Sequence, residues 1–403
     1  MLLDSATRHE RVLLRAARPA LAALLLGGRL AVPIRRVPRL GWVSADPLVA
    51  RQVLGDHRSF TLVAEGGVGH LWAQVLGDWV YDLFDGPGHH DLRTRARDLF
   101  TEATAAELVR GAWDARLATA RAALAAGDPV DVAGLARVLV GRMLGSLLGL
   151  GTGTDEDARS LFATGERLAA IALGSAADTT LGPASVAEAK RIVDELTAGV
   201  PAAWRTAGPE SLLGRCRELG LGLRETTGLS ALLMVAGTET AASAMARTVA
   251  LLHDTGEQHR LLAEPALLPV AVREGLRVTT PAPVIGRSVR RDVTVAGRRL
   301  RAGERIMLLT WTANTAPGGF DLARPYLPAN RQLWFGAGRH LCLGAALARA
   351  ELGALLRTMT AAGRPWRVER RIPQRRALIP TYRELVVRQA DDQHRPAPVG
   401  PRP

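Results

Sequence analysis

The sequence predicts a mainly α-helical protein with small β-sheets, folded as a single domain. Within residues 91–149 apolar side chains recur every three or four positions, which is the spacing of a helix with one buried face. The run from Leu223 to Leu252 is apolar, rich in alanine and free of proline, which predicts one long buried helix. Short strand-like segments follow at 293–295 and 305–309, and no linker divides the interior.

The ends of the chain are expected to lie apart from this core. Residues 20–28 are apolar between Arg18 and Arg29, and nine residues are too few to cross a bilayer. We therefore expect a peripheral N-terminal helix within about residues 1–30. Residues 1–389 are predicted to form the domain, and the polar, proline-rich residues 390–403 a disordered tail.

Composition excludes several classes of protein. The two cysteines, Cys216 and Cys342, are too few and too far apart for a disulfide framework or a zinc cluster, which fits a reducing cytoplasm. The net charge of +13 is carried by arginine, with Lys190 the one lysine. Positive charge can indicate nucleic-acid binding, but the arginines are dispersed and no nucleic-acid motif is present. We expect neither nucleic-acid nor membrane partners.

Ten residues near the C-terminus, 335–344, place Cys342 in a glycine-rich loop directly before a strongly helical run. The positive end of a helix favours an anion, and the thiolate is the form of cysteine that binds metals. The alternative is a buried structural cysteine, which is the commoner fate of a free thiol.

The pattern F-G-x-G-x-H-x-C-x-G resembles the cysteine-ligand loop of the cytochrome P-450 family. The resemblance implies that fold, with heme b buried between the long central helix and the helix after the cysteine, and Cys342 as the iron ligand. It also implies cofactor contacts from other loop residues and from the central helix. These are Phe335, Gly336, His340, Gly344, Ala236 and Gly237.

Glycine, threonine and glutamate interrupt the apolar central helix at residues 236–240. Such a local violation indicates a functional site, although an exposed helix face is the simpler explanation. The segment resembles the family's oxygen-binding groove, which implies that Glu239 and Thr240 form the acid–alcohol pair that relays protons.

Three further matches occur in the family's order. His89 and Arg93 share a helix face at i and i+4, and the resemblance implies that they bind heme propionates together with Arg287. Glu274 and Arg277 match the Glu-x-x-Arg brace. The usual third, basic residue of the brace is replaced by Gly319, and Arg324 is the candidate substitute.

The resemblance implies a cytoplasmic monooxygenase that inserts one oxygen atom of O2 into a hydrophobic or mixed small molecule, in specialised-metabolite tailoring. Electrons would come from a ferredoxin and its reductase. The alternatives are a peroxide-driven relative, which typically lacks the acid–alcohol pair, and a non-catalytic heme-thiolate module. Six apolar positions are candidates for the substrate pocket. They are Leu232, Leu233, Ala282, Val284, Ile285 and Ile379.

Overall fold

A computed structural model describes residues 5–28, 32–65, 67–151, 153–174 and 180–390. Helices dominate, as predicted. The helices are α1 Ser5–Ala17, α2 Pro19–Gly27, α3 Pro47–Gly55, α4 Val68–Leu76, α5 Trp79–Asp85, α6 Pro87–Arg95, α7 Glu102–Ala126, α8 Val132–Leu148, α9 Asp155–Gly174, α10 Pro183–Leu196, α11 Val200–Thr206, α12 Leu212–Glu218, α13 Leu223–Thr255, α14 Glu257–Ala263, α15 Leu268–Thr279, α16 Thr310–Thr315 and α17 Ala345–Thr360.

The strands are short and form small sheets. They are β1 Arg35–Val37, β2 Gly41–Ser44, β3 Phe60–Thr61, β4 Val130–Asp131, β5 Ile285–Val289, β6 Val293–Val295, β7 Arg298–Leu300, β8 Arg305–Leu308, β9 Trp366–Pro373 and β10 Tyr382–Gln389. One sheet has the order β1-β2-β8-β5-β3, with β2 and β8 parallel and the other pairs antiparallel. A second has the order β4-β10-β9, and β6 and β7 form a hairpin.

The long central helix α13 spans three residues more than the sequence predicted, because Gly256 adopts a left-handed conformation (φ +76°) that ends it. It packs against α8, α9, α15 and α17, and most of its side chains are buried. By length and composition alone α13 could cross a membrane, yet 67% of its most apolar window is buried inside the fold. That burial is typical of a core helix in a globular domain.

The N-terminal segment differs from the expected single helix. It contains two, because Arg18 is extended and Pro19 starts α2 in the first-turn position that proline favours. Helix α1 is tied to α13 by a buried ion pair between Glu10 and Arg247. The sequence also did not predict β9 and β10, which close the C-terminal part of the domain. The predicted tail lies, except for residue 390, outside the described residues.

Candidate functional site

The cysteine loop is held by tight backbone contacts. A side chain at Gly338 (φ +67°) would lie 2.2 Å from the carbonyl oxygen of Leu54, so only glycine lets the loop approach α3 this closely. The amide of Cys342 donates to the carbonyl of Phe335 at 2.9 Å, and the amide of Gly344 donates to the cysteine sulfur. Helix α17 begins at Ala345. The loop therefore presents Cys342 in a fixed orientation at a helix start.

Cys342 keeps an exposed side chain although it lies deep in the fold. Surrounding protein desolvates the thiol and raises its pKa, against the opposing effects of the Gly344 amide and of Arg93 and Arg349. An exposed sulfur under such desolvation lies on the wall of a concave space. Its donor chemistry fits a metal that binds the thiolate, because coordination replaces the proton.

An exposed stripe runs along the otherwise buried helix α13. Ala236 is exposed, and Leu232, Leu233, Gly237 and Thr240 are partly exposed, at the three- and four-residue spacing of one helix face. Thr240 Oγ1 donates to the carbonyl of Ala236 at 2.8 Å, which leaves the hydroxyl oxygen able to accept a further hydrogen bond. A core helix with one face left unpacked, and with the small residues Ala236 and Gly237 in the middle of that face, leaves room for a ligand.

Glu239 lies off this stripe. The residue is 8% exposed, and Oε2 accepts from the amide of Ile379 at 3.3 Å. Burial, and then repulsion from Glu166, raise its pKa to about 7, against the attraction of Arg18 and Arg137. Glu239 and Thr240 are thus neighbours in sequence with different surroundings, and a proton passing between them would need an intermediary such as water.

Cationic and imidazole side chains converge beside the cysteine loop. Arg93 Nη2 donates to the carbonyl of Leu341 at 2.6 Å, and the rings of His89 and His340 lie with centroids 4.6 Å apart. Arg339 lies within 3.4 Å of His89 Nδ1. Sequence reasoning did not identify Arg339, because its position in the loop pattern is unspecified.

Asp85 is the other missed residue of this group. Burial raises its pKa, but hydrogen bonds from His340 and Thr61 outweigh that effect and lower the pKa to about 2. Asp85 also pairs with Arg290 at 3.1 Å. Its position directly before Gly86-Pro87 carries no signal of this role, since an acidic residue is common ahead of a helix.

This cluster has more positive than negative groups. Burial, then the charges of His340, Arg339 and Arg93, lower the pKa of His89 to about 4, against the effect of Asp85. Burial likewise lowers the pKa of Arg287 to about 10. Among the described residues, Arg287 donates only to the carbonyl of Gly286, at 2.7 Å, and forms no ion pair. A half-buried guanidinium that forms no ion pair, with Asp85 as the acidic charge that acts on it, fits the carboxylate groups of a porphyrin.

The brace is a second buried cluster, between α15 and the segment from Asn314 to Arg324. Arg277 binds Glu274 through two hydrogen bonds of 2.9 and 2.7 Å, and both side chains are almost fully buried. Arg277 also donates to the carbonyls of Asn314, Gly318 and Gly319. Arg324 Nε lies 3.4 Å from Glu274 Oε2, so Arg324 occupies the place where Gly319 offers no side chain.

The substrate-pocket candidates fall in three places. Leu232 and Leu233 belong to the stripe on α13. Ala282 is exposed, and Val284 and Ile285 are partly exposed before and at the start of β5. The side chain of Ile379 is buried, and its backbone amide binds Glu239.

Known proteins resemble this chain in sequence over one segment and in structure over nearly all of it. Residues 254–360 match the family model "Cytochrome P450". A putative cytochrome P-450 140 of Mycobacterium tuberculosis is 40% identical over 141 residues, which are 33% of this chain and 32% of the relative. Pentalenic acid synthase of Streptomyces avermitilis is 37% identical over 139 residues, 34% of this chain and 35% of the relative. The chain thus matches about a third of the length of these curated relatives.

The crystal structure of CalO2 superposes with a TM-score of 0.75 at 26% identity, covering 96% of this chain and 98% of that one. The segment 254–360 contains the brace, the strand that carries Arg287, and the whole cysteine loop. Epothilone B-bound cytochrome P450epoK superposes with a TM-score of 0.76 at 22% identity, covering 93% of this chain and 96% of that one. The chain therefore has the cytochrome P-450 fold over almost its whole length and matches the cytochrome P-450 family in sequence over residues 254–360, and the cofactor of that family is heme.

Proposed function

We propose that this protein is a heme-thiolate monooxygenase that inserts one atom of O2 into a hydrophobic or mixed small molecule. The observation that carries the proposal is the exposed stripe on α13, which bears the Thr240 hydroxyl, in a fold whose exposed Cys342 lies in the loop just before α17. A helix face left open around Ala236 and Gly237 admits a ligand to the core, and the Thr240 hydroxyl on that face can orient water or oxygen.

Each site residue has a distinct role in this proposal. Cys342 would bind the heme iron, and Arg93, Arg287, His89 and His340 would bind the two propionates. Heme, when bound, supplies the iron at which dioxygen is activated. Phe335, Gly336 and Gly344 would shape the loop around Cys342, and Ala236 and Gly237 would leave space for a bound ligand.

Thr240 and Glu239 would deliver protons. Thr240 already donates to Ala236, so its oxygen can accept from a water molecule on the stripe. Glu239, with a pKa of about 7, is present in both protonation states near neutral pH, which suits a group that takes up and releases protons. Glu274, Arg277 and Arg324 would brace the cysteine side without chemical involvement.

The proposed activity also implies redox partners and a cellular location. We infer a cytoplasmic enzyme that receives electrons from a ferredoxin and its reductase, since a chain of net charge +13 suits an acidic donor. Turnover with a ferredoxin should then fall steeply with added salt, and a flat response would exclude electrostatic docking. The apolar pocket candidates, and relatives such as pentalenic acid synthase, support a specialised metabolite as substrate.

The absorption spectrum of the reduced protein under carbon monoxide tests the assignment first. A strongly red-shifted Soret band is expected for wild type, and its loss in Cys342→Ser. A band typical of histidine or thiol ligation would favour a non-catalytic module, and absence of heme would overturn the proposal.

Thr240→Ala tests the proton-delivery role. It should bind heme normally but release consumed oxygen as peroxide or water rather than product. Coupling equal to wild type would remove Thr240 from the proposal. Activity with hydrogen peroxide alone, and none with ferredoxin, reductase and NAD(P)H, would instead indicate a peroxide-driven enzyme.

A further inference from the structure

A small cavity lies behind Glu239, on the side of α13 away from the exposed stripe. Its volume is about 10 Å³, which is room for about one water molecule. Two acidic side chains line it, Glu239 from α13 and Glu166 from α9, together with Arg137 from α8. Glu166 is absent from the sequence predictions and has no role in the mechanism above.

Two close helix contacts bring these side chains together. A side chain at Gly165 would lie 2.9 Å from Thr238 Cγ2, so α9 and α13 are in close contact there. Gly165 directly precedes Glu166 on α9, and Thr238 directly precedes Glu239 on α13. A side chain at Gly141 would lie 2.2 Å from the carbonyl oxygen of Ala158, which sets α8 equally close to α9. The two glycines thus fix Glu166 against Glu239.

The two carboxyls differ in their access to water. Glu239 is buried, whereas Glu166 is partly exposed and has no hydrogen bond or ion pair among the described residues. Glu166 therefore has one side toward the cavity and one toward solvent. A carboxyl in that position can take a proton from bulk water and pass it inward through a single water molecule.

The charges around the cavity favour one proton shared between the two acids. Arg137 is anchored by hydrogen bonds to the carbonyls of Tyr382 and Arg383, at 2.9 and 3.0 Å, so its positive charge is fixed. Burial raises the pKa of Glu166, with Arg137 opposing, and repulsion between the acids contributes to the raised pKa of Glu239. Arg18 is the remaining charge that acts on Glu239.

We propose that Glu166 is the relay through which Glu239 exchanges protons with solvent. A proton leaves the Glu166 carboxyl for the Glu239 carboxylate through one water molecule, and Glu166 then regains a proton from solvent. One O–H bond breaks and one forms at each transfer, and no electrons move. This inference rests on the proposed function, because it supplies the protons that Glu239 would deliver.

The test measures Glu239 itself and needs no substrate. Infrared difference spectra of the heme-loaded protein, with Glu239→Gln to assign the band, would follow the protonated carboxyl through a pH titration and after rapid mixing with D2O. Glu166→Gln should lower the pKa of Glu239 by about one unit, because a neighbouring negative charge is removed. It should also slow deuterium exchange at Glu239 by about tenfold.

Matched variants separate a relay from a structural role. Glu156→Gln removes an exposed carboxylate from the same helix and should leave both values at wild type. Glu166→Asp should restore exchange in part. An unchanged pKa, or exchange as fast in Glu166→Gln as in wild type, would overturn the relay. Neither result depends on the carbon monoxide spectrum or on turnover, so failure of the relay is distinguishable from failure of the monooxygenase assignment.

Discussion

The contact between α8 and α9 at Gly141 makes a sharp prediction for stability. In Gly141→Ala the new methyl group would lie 2.2 Å from the oxygen, 2.7 Å from the carbonyl carbon and 2.9 Å from the Cα of Ala158. All three are backbone atoms, so no side-chain rotation relieves the overlap. Reaching even 3.0 Å from that oxygen requires the helix backbones to separate by about 0.8 Å.

Two opposing effects set the magnitude. Alanine in a helix interior is favoured over glycine by about 1 kcal/mol. Overpacking of a buried contact costs about 1–3 kcal/mol. We expect a cost near the top of this range, because the new methyl group is fixed to one helix backbone and meets the backbone of the other. We expect the free energy of unfolding of Gly141→Ala to fall by about 1–2 kcal/mol.

Urea unfolding of the heme-loaded protein, followed by far-UV circular dichroism, measures the change. Gly111→Ala is the matched control, because Gly111 lies inside α7 with no atom within 4 Å of a new methyl group. That variant should gain up to about 1 kcal/mol. If Gly141→Ala were as stable as wild type, the close crossing of α8 and α9 would be refuted.

Three further perturbations have defined outcomes. Arg277→Met should lower the free energy of unfolding by about 3–5 kcal/mol, because it leaves the buried Glu274 without its main partner. Arg324→Met should lower the free energy of unfolding by only about 1–2 kcal/mol. Equal losses for the two variants in urea unfolding would contradict the brace. Burial raises the pKa of Asp254, but its arginine and histidine neighbours outweigh burial, so the pKa in the folded state is below the usual value. The carboxylate therefore stabilises the fold fully above about pH 4, and this stabilisation is lost as the pH falls through the pKa of the folded state. The stability difference between wild type and Asp254→Asn should therefore shrink below about pH 4, and a constant difference would count against the ion pairs. Burial raises the pKa of Glu351 to about 8, so the folded state holds an extra proton between about pH 4 and 8 and wild type loses stability as the pH rises across that range. In thermal unfolding Glu351→Gln should lack this dependence on pH. If the melting temperatures of wild type and Glu351→Gln changed in parallel with pH, Glu351 would be shown to ionise normally.

Elements with a strong local signal could be predicted from the sequence. The central helix was found from the absence of proline and the apolar run, and its end at Gly256 follows from a glycine with positive φ. The family and its cofactor followed from the cysteine loop. These features depend on contiguous residues, where spacing alone carries the information.

Features that depend on residues distant in sequence were not predictable. Asp85 acquires its role only because β3 brings Thr61, and the cysteine loop brings His340, to the same carboxyl. Glu166 gains significance only through helix contacts at glycines that look ordinary in a helical run. Strands β9 and β10 are rich in arginine and glutamate on their exposed faces, which masks the alternation of their buried residues.

The bonds of Arg277 to three main-chain carbonyls bear on how the segment from Asn314 to Gly319 can vary. Main-chain carbonyl groups are present whatever the side chains are. The Arg277 guanidinium therefore constrains the backbone conformation of the segment but not the identity of its side chains. Saturation mutagenesis should then find side chains at 317 and 319 broadly replaceable while position 277 admits arginine alone. A segment of this kind can change in sequence, including the loss of its own basic residue, as long as Arg277 still donates hydrogen bonds to its main-chain carbonyls.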